Sequence, residues 1–173
     1  MINRLMGLCV VMLWSSCAPV PENSSARHQR VEALACALQS LSPQVETREA
    51  RQVAGVAVNT SAQLRGKYHE NLTPWVHNVE VYWGIKERGY CYQYANDLYA
   101  ALIQMHAPHL QFHFIHARRG EMFEHNALSV TARGEPWHSG IALDAWRNAG
   151  VLAFVPVKGD KYPWELSDPP DTH

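Results

Sequence analysis

The chain is predicted to be an α+β protein in which helices come first and an antiparallel sheet follows. Two observations carry this. Apolar residues recur at helical spacing as far as Met105, and Ala107-Pro108 closes that regime. Beyond Pro108 the apolar period becomes two, in four runs rich in β-branched and aromatic residues. A third observation bounds the size: 173 residues, less a leader, suffice for one domain with a substantial core.

The first helix is expected over residues 26–41, where Val31, Leu34, Ala35, Leu38 and Leu41 share a face and Pro43 stops the chain. A second is expected over 47–68, with Val53, Val56, Ala57 and Leu64 inward. Gly55 and the β-branched residues weaken it. Residues 71–88 hold Pro74, Trp75, His77, Asn78 and Trp83-Gly84, and read as loop with short structure. The central helix is the clearest element: Cys91, Ala95, Leu98, Leu102 and Met105 recur at four and three residues. Strands are expected over 110–118, 123–132, 140–146 and 151–157. A tail from Lys158 follows, containing Tyr162-Pro163-Trp164 and ending in polar residues.

Residues 1–16 read as an export signal. Asn3 and Arg4 form a polar start, and the apolar run 5–14 is too short to span a bilayer. Leu13-Trp14-Ser15-Ser16-Cys17 resembles a bacterial lipobox, in which the cysteine is acylated and becomes the first residue of the mature protein. Trp14 stands where an aliphatic residue is usual, and an ordinary signal peptide or uncleaved anchor is the alternative. Residues 17–25 read as a tether. This reading expects a bacterial cell-envelope protein, lipid-anchored through Cys17 and facing the periplasm, with the outer membrane as its site.

Cys9 would leave with the leader and Cys17 would carry lipid, so Cys36 and Cys91 remain as thiols. An oxidising periplasm would permit a bridge between them, though a solitary disulfide is a modest staple for a domain of this size. Asn23-Ser24-Ser25 and Asn71-Leu72-Thr73 match the glycosylation acceptor pattern, which a bacterial lipoprotein makes accidental. The formal charge of -1 gives no attraction to nucleic acid or to an anionic membrane surface.

Gly89-Tyr90-Cys91 opens the central helix, and the strands beyond supply His125 and Asp144. A cysteine in the first turn has unpaired backbone N–H groups and the positive end of the helix dipole beside it. Both favour a thiolate, and the N–H groups suit an oxyanion. Arg133-Gly134-Glu135-Pro136 reads as a turn between the second and third strands. Pairing about Gly134-Glu135 places His125 opposite Asp144, Ala127 opposite Ala142 and Ser129 opposite Gly140. That small-residue face would let a helix end approach, so that the carboxylate holds one imidazole nitrogen and the other meets the thiol. Each residue has a plainer reading: Cys91 packed on an apolar face, His125 structural, Asp144 starting a turn or paired with Arg147.

Gly89-x-Cys91 at a helix start, His125 starting a strand and Asp144 closing the next resemble the transglutaminase-like branch of the papain-like cysteine enzymes. The resemblance covers about residues 84–157. It implies a catalytic core over that span, within a single transglutaminase-like domain over 26–173 whose N-terminal helices occupy 26–70. It makes Cys91 the nucleophile, His125 the general base and Asp144 its orienter. A further oxyanion donor is usual upstream of the cysteine; Asn78 and Trp83 are the candidates, each able to donate a hydrogen bond. Arg88-Gly89-Tyr90-Cys91, His125-Asn126-Ala127 and Leu143-Asp144-Ala145-Trp146-Arg147 are also similar to a series in uncharacterised proteobacterial lipoproteins. Arg147 is expected to satisfy a carboxylate or carbonyl, and Trp146 to be core.

The function expected from this resemblance is thiol acyl transfer, with amide hydrolysis ahead of cross-linking. Its substrate would be an envelope protein or a peptidoglycan peptide. The competing reading is a non-catalytic lipoprotein that binds a peptide or assembly partner. No cofactor is expected. A metal site drawn from His113, His116, His125 or His138 matches no strong ligand spacing, because His113 and His116 sit on opposite faces of a strand.

Overall fold

The computed structural model describes residues 22–70, 73–121 and 123–168. Residues 1–21, Asn71, Leu72, Met122 and residues 169–173 lie outside that set, and with them the expected leader, Cys17 and most of the expected tether. The described residues form four α-helices followed by a five-stranded antiparallel sheet of order β4-β3-β2-β1-β5.

Helix α1, Ser24–Gln39, starts two residues earlier than expected because Asn23 Oδ1 caps the N–H of Ala26 at 2.8 Å. Ser24 and Ser25, expected in the tether, therefore belong to the helix. α2, Thr47–Lys67, returns antiparallel to α1, joined by Gln39–Thr47 and Arg51–Glu32 side-chain bonds. It runs through Gly55 because Val53, Ala54, Ala57, Val58 and Leu64 are buried, which outweighs local propensity. Within the span 71–88, expected as loop with short structure, Pro74–Tyr82 form a third helix, α3, with proline in its first turn. α4, Cys91–Leu102, stops three residues short of Met105.

The strands are β1 Leu110–Ala117, β2 His125–Ala132, β3 Ile141–Asp144, β4 Ala153–Pro156 and β5 Trp164–Ser167. β5 was not foreseen in the tail; it pairs with the outer edge of β1, Ala117 facing Trp164. Alternation splits the sheet into two cores. Phe114, Leu128, Val130, Ile141 and Leu143 meet Leu34, Leu38, Val53, Leu98 and Leu102 of the helix layer. Ile115, Ala117, Ala127 and Ala142 turn the other way, under Val157, Trp164 and Tyr162. Each fully buried leucine contributes roughly 2–3 kcal/mol through burial.

The β2–β3 register differs from the expected one. Ser129 faces Ala142, not Gly140, and Leu128 faces Leu143, so His125 and Asp144 are not directly opposite. The connection contains a short 3-10 turn, Trp137–Ser139, whose Trp137 carbonyl accepts from Ser129 Oγ at 2.6 Å. Gly140 belongs to that turn, packed so closely that a Cβ there would lie 2.3 Å from the Val130 oxygen. The slip is two residues. Because the side-chain period is also two, every residue keeps its expected face.

Candidate active site

The approach to Cys91 is fixed by two contacts. Gly89 adopts φ +135, and its missing side chain leaves room for the buried His77 ring; a Cβ there would lie 1.8 Å from His77 Nε2. His77 Nε2 donates to the Arg88 carbonyl at 2.9 Å, while Lys86 Nζ donates to Nδ1 at 3.3 Å. Burial lowers the proton affinity of that ring, with Lys86 adding to the effect. Gly89 N and Tyr90 N both donate to Gln93 Oε1, at 2.6 and 3.1 Å, which consumes the N–H groups just before the helix. In the first turn Gln93 N and Tyr94 N bond the Tyr90 carbonyl, at 3.0 and 3.2 Å, which leaves the N–H groups of Cys91 and Tyr92 without an intrahelical acceptor.

The thiol comes to the start of β2 around the end of the strand. α4 packs on the face carrying Leu128 and Val130, not on the Ala and Ser face, which the tail covers instead. Cys91 Sγ lies 3.8 Å from the Glu124 carbonyl and 3.6 Å from Asn126 Nδ2, the residues on either side of His125. Cys91 is 7% exposed, and Cys36 is an exposed free thiol, so the two form no bridge.

His125 Nε2 donates to Asp144 Oδ2 at 2.6 Å, with both side chains buried. The diagonal produced by the two-residue slip is short enough for this bond. The second nitrogen, Nδ1, is buried and has no hydrogen-bond partner among the described residues. Burial alone would lower the proton affinity of the ring. Asp144 outweighs it, aided by the nearby Cys91, and pushes the imidazole up to about 9.

Asp144 is held in turn. Its Oδ1 accepts from the N–H groups of Trp146 and Arg147 at 3.1 and 2.9 Å, and Arg147 Nε donates to Oδ2 at 2.8 Å. Burial favours the neutral acid, but His125 and Arg147 outweigh it and hold the carboxyl below the ordinary aspartate range. Arg147 continues to Asp160 through both terminal nitrogens, at 3.1 and 2.6 Å, and Trp164 Nε1 donates to the same carboxylate. The expected pairing of Asp144 with Arg147 and its bond to His125 are therefore simultaneous.

Comparison with protein-family models, curated proteins and solved structures finds no match.

Sequence reasoning missed the aromatic wall. The His125 ring has Tyr162, Trp146 and Trp164 at centroid distances of 4.5, 5.0 and 5.5 Å. Trp146 is thus core and site wall together. Tyr162-Pro163-Trp164 was visible as a motif, but only the docking of β5 brings it here. A cleft of about 150 Å³ opens beside the ring, lined by Trp75, Asn78, Phe123, Trp146 and Tyr162 among others; its lining includes His125 but not Cys91.

Of the two oxyanion candidates, Asn78 lines that cleft from α3. Trp83 does not; it is exposed and packs edge-on against Tyr82. The histidines weighed as ligands are engaged separately, His113 with Thr131 and His116 beside Glu165. Among the described residues no group of three or more His, Cys, Asp or Glu is placed to hold a metal ion.

Proposed function

We propose that the protein is a thiol acyl-transfer enzyme related to the papain-like, transglutaminase-like enzymes, and that it hydrolyses an amide through a thioester. The observation that carries this is the buried His125 ring, bonded to Asp144 through one nitrogen and flanked by Cys91 with the other unpaired. Cys91 gives its proton to His125 and its Sγ attacks the carbonyl carbon, whose π electrons move to the oxygen; the oxyanion is received by the first-turn N–H of Cys91 and the Asn78 amide. His125 gives its proton to the departing amine; water, deprotonated by the ring, then releases the acid and restores the thiol. Lipid attachment at Cys17 would hold this site in the bacterial envelope, facing the periplasm. An envelope protein or a peptidoglycan peptide is the substrate class.

One observation favours the second reading, a binding lipoprotein that keeps the fold without the chemistry: the cleft lining omits the nearly buried sulfur. Reactivity separates the two. A small electrophile such as iodoacetamide should label Cys91 in the folded chain faster than the exposed Cys36, and His125→Ala should abolish that advantage. Labelling of Cys91 no faster than Cys36, or indifferent to His125, would sink the enzymatic reading.

A further inference from the structure

Helix α3 turns its apolar side away from the protein. Its one buried side chain is His77, and its one charged residue, Glu80, is tied to Lys86 Nζ at 2.7 Å. Trp75, Val76, Val79, Tyr82 and Trp83 are exposed. Their spacing places them on one side of the helix. Ile85 and Tyr92 expose further apolar surface on the way into α4, and Phe123 meets Trp75 edge-on at 5.2 Å. Among the described residues, the other large exposed apolar side chains are only Ile103 and Leu166. Such clustering marks a surface that something covers.

Where the chain enters the domain identifies the cover. α1 and α2 are antiparallel, so α1 begins beside the end of α2. Arg30 donates to the Leu152 carbonyl and Ser61 to that of Gly150, tying both helices to the loop beyond Trp146. The end of α2 meets the start of α4 through Tyr68 Oη and the Gln93 carbonyl, 3.3 Å apart. Lys86, beside α3, donates to the His69 carbonyl at 2.8 Å. Residue 22, the start of α4 and helix α3 therefore share one end of the helix layer. Cys17 precedes Glu22 by five residues, a reach of at most about 18 Å. A bilayer held by the leader or by lipid on Cys17 faces the end where α3 shows its aromatic side.

The residue types suit that bilayer. Tryptophan and tyrosine settle at headgroup depth, with an apolar body and a polar tip. The outward side of α3 brings no unpaired charge that would have to be desolvated. We infer that α3 is an interfacial membrane helix that lays Trp75, Val76, Val79, Tyr82 and Trp83 into a phospholipid surface. It holds the cleft beside His125 at headgroup level and limits substrates to membrane-proximal chains. Apolar burial, not charge, drives the contact, in keeping with the net charge of -1. The inference rests on the proposed envelope anchoring and not on the chemistry of Cys91.

The test uses the full lipid-attached chain carrying Cys91→Ser, so that no outcome depends on catalysis. Val79→Cys is added, and the chain is reconstituted in vesicles of phosphatidylethanolamine and phosphatidylglycerol. A water-soluble maleimide then competes between position 79 and the exposed Cys36. The thiol at position 79 should label about tenfold more slowly than Cys36, at every protein-to-lipid ratio. Adding Tyr82→Glu and Trp83→Glu should remove that protection while the chain still floats with the vesicles. Equal labelling, protection only at high protein density (a second copy as cover), or protection that survives both glutamates overturns the inference. So does failure of the chain to float. Loss of thiol chemistry in the unsubstituted protein leaves the result untouched.

Discussion

At the level of single residues, the proton on His125 is the quantity that decides what Cys91 can do. The Asp144 carboxylate is its main support, and with Arg147 it forms a buried ion cluster whose charges are all hydrogen-bonded. With its proton affinity at about 9, the ring is charged at neutral pH and is lost as a proton donor when pH rises through about 9. Asp144→Asn keeps the shape and removes the charge. The imidazole should then titrate at lower pH in a nitrogen NMR experiment, and the alkaline limb of the proposed amide hydrolysis should move down with it. The rate should fall by about a hundredfold or more. An unmoved titration would mean that the carboxylate does not set the charge of the ring.

At the level of elements, α3 and the start of α4 are locked together by the His77 ring in the space left by Gly89. Gly89→Ala meets two obstacles, the positive φ and the ring 1.8 Å from the new methyl group, so the His77 ring must leave its place or α3 must shift with it. Urea denaturation should show a loss of about 2 kcal/mol or more, with the electrophile preference for Cys91 lost as well. A loss within a few tenths would show that the loop accommodates the side chain. These elements also show what was legible beforehand. The α4 stripe Ala95, Leu98 and Leu102 faces the core, and its period was plain. The β2–β3 hairpin was legible in its faces but not in its register, because the 3-10 turn has no strong sequence signal and shifts the pairing by an even number. α3 was hidden because its apolar residues point outward around a single buried histidine, reversing the usual pattern. β5 is four residues long, too short to show a period of its own.

For the molecule as a whole, stability should depend on pH through buried groups at the end where the helix layer meets β2. Glu70 is buried and accepts from Tyr94 Oη in the first turns of α4. Burial raises its carboxyl from 4.5 to about 7, against the lowering effect of the Tyr94 bond and of Arg65. The folded protein therefore binds this proton more tightly than the unfolded chain does. Its contribution is complete below about pH 4.5 and is lost as pH rises through about 7, on the order of 3 kcal/mol at most. His125 adds a second loss of the same sign at higher pH, from 6.5 through about 9. Asp144 runs the other way: its contribution is present above the ordinary aspartate value and lost as pH falls through its lowered one. Urea unfolding followed across pH should therefore show stability falling in two steps from weakly acid to alkaline conditions. Glu70→Gln retains an acceptor for Tyr94 without a titrating proton, so it should flatten the first step and leave the second. If the first step persists in Glu70→Gln, the proton that tightens this end of α4 sits on another group.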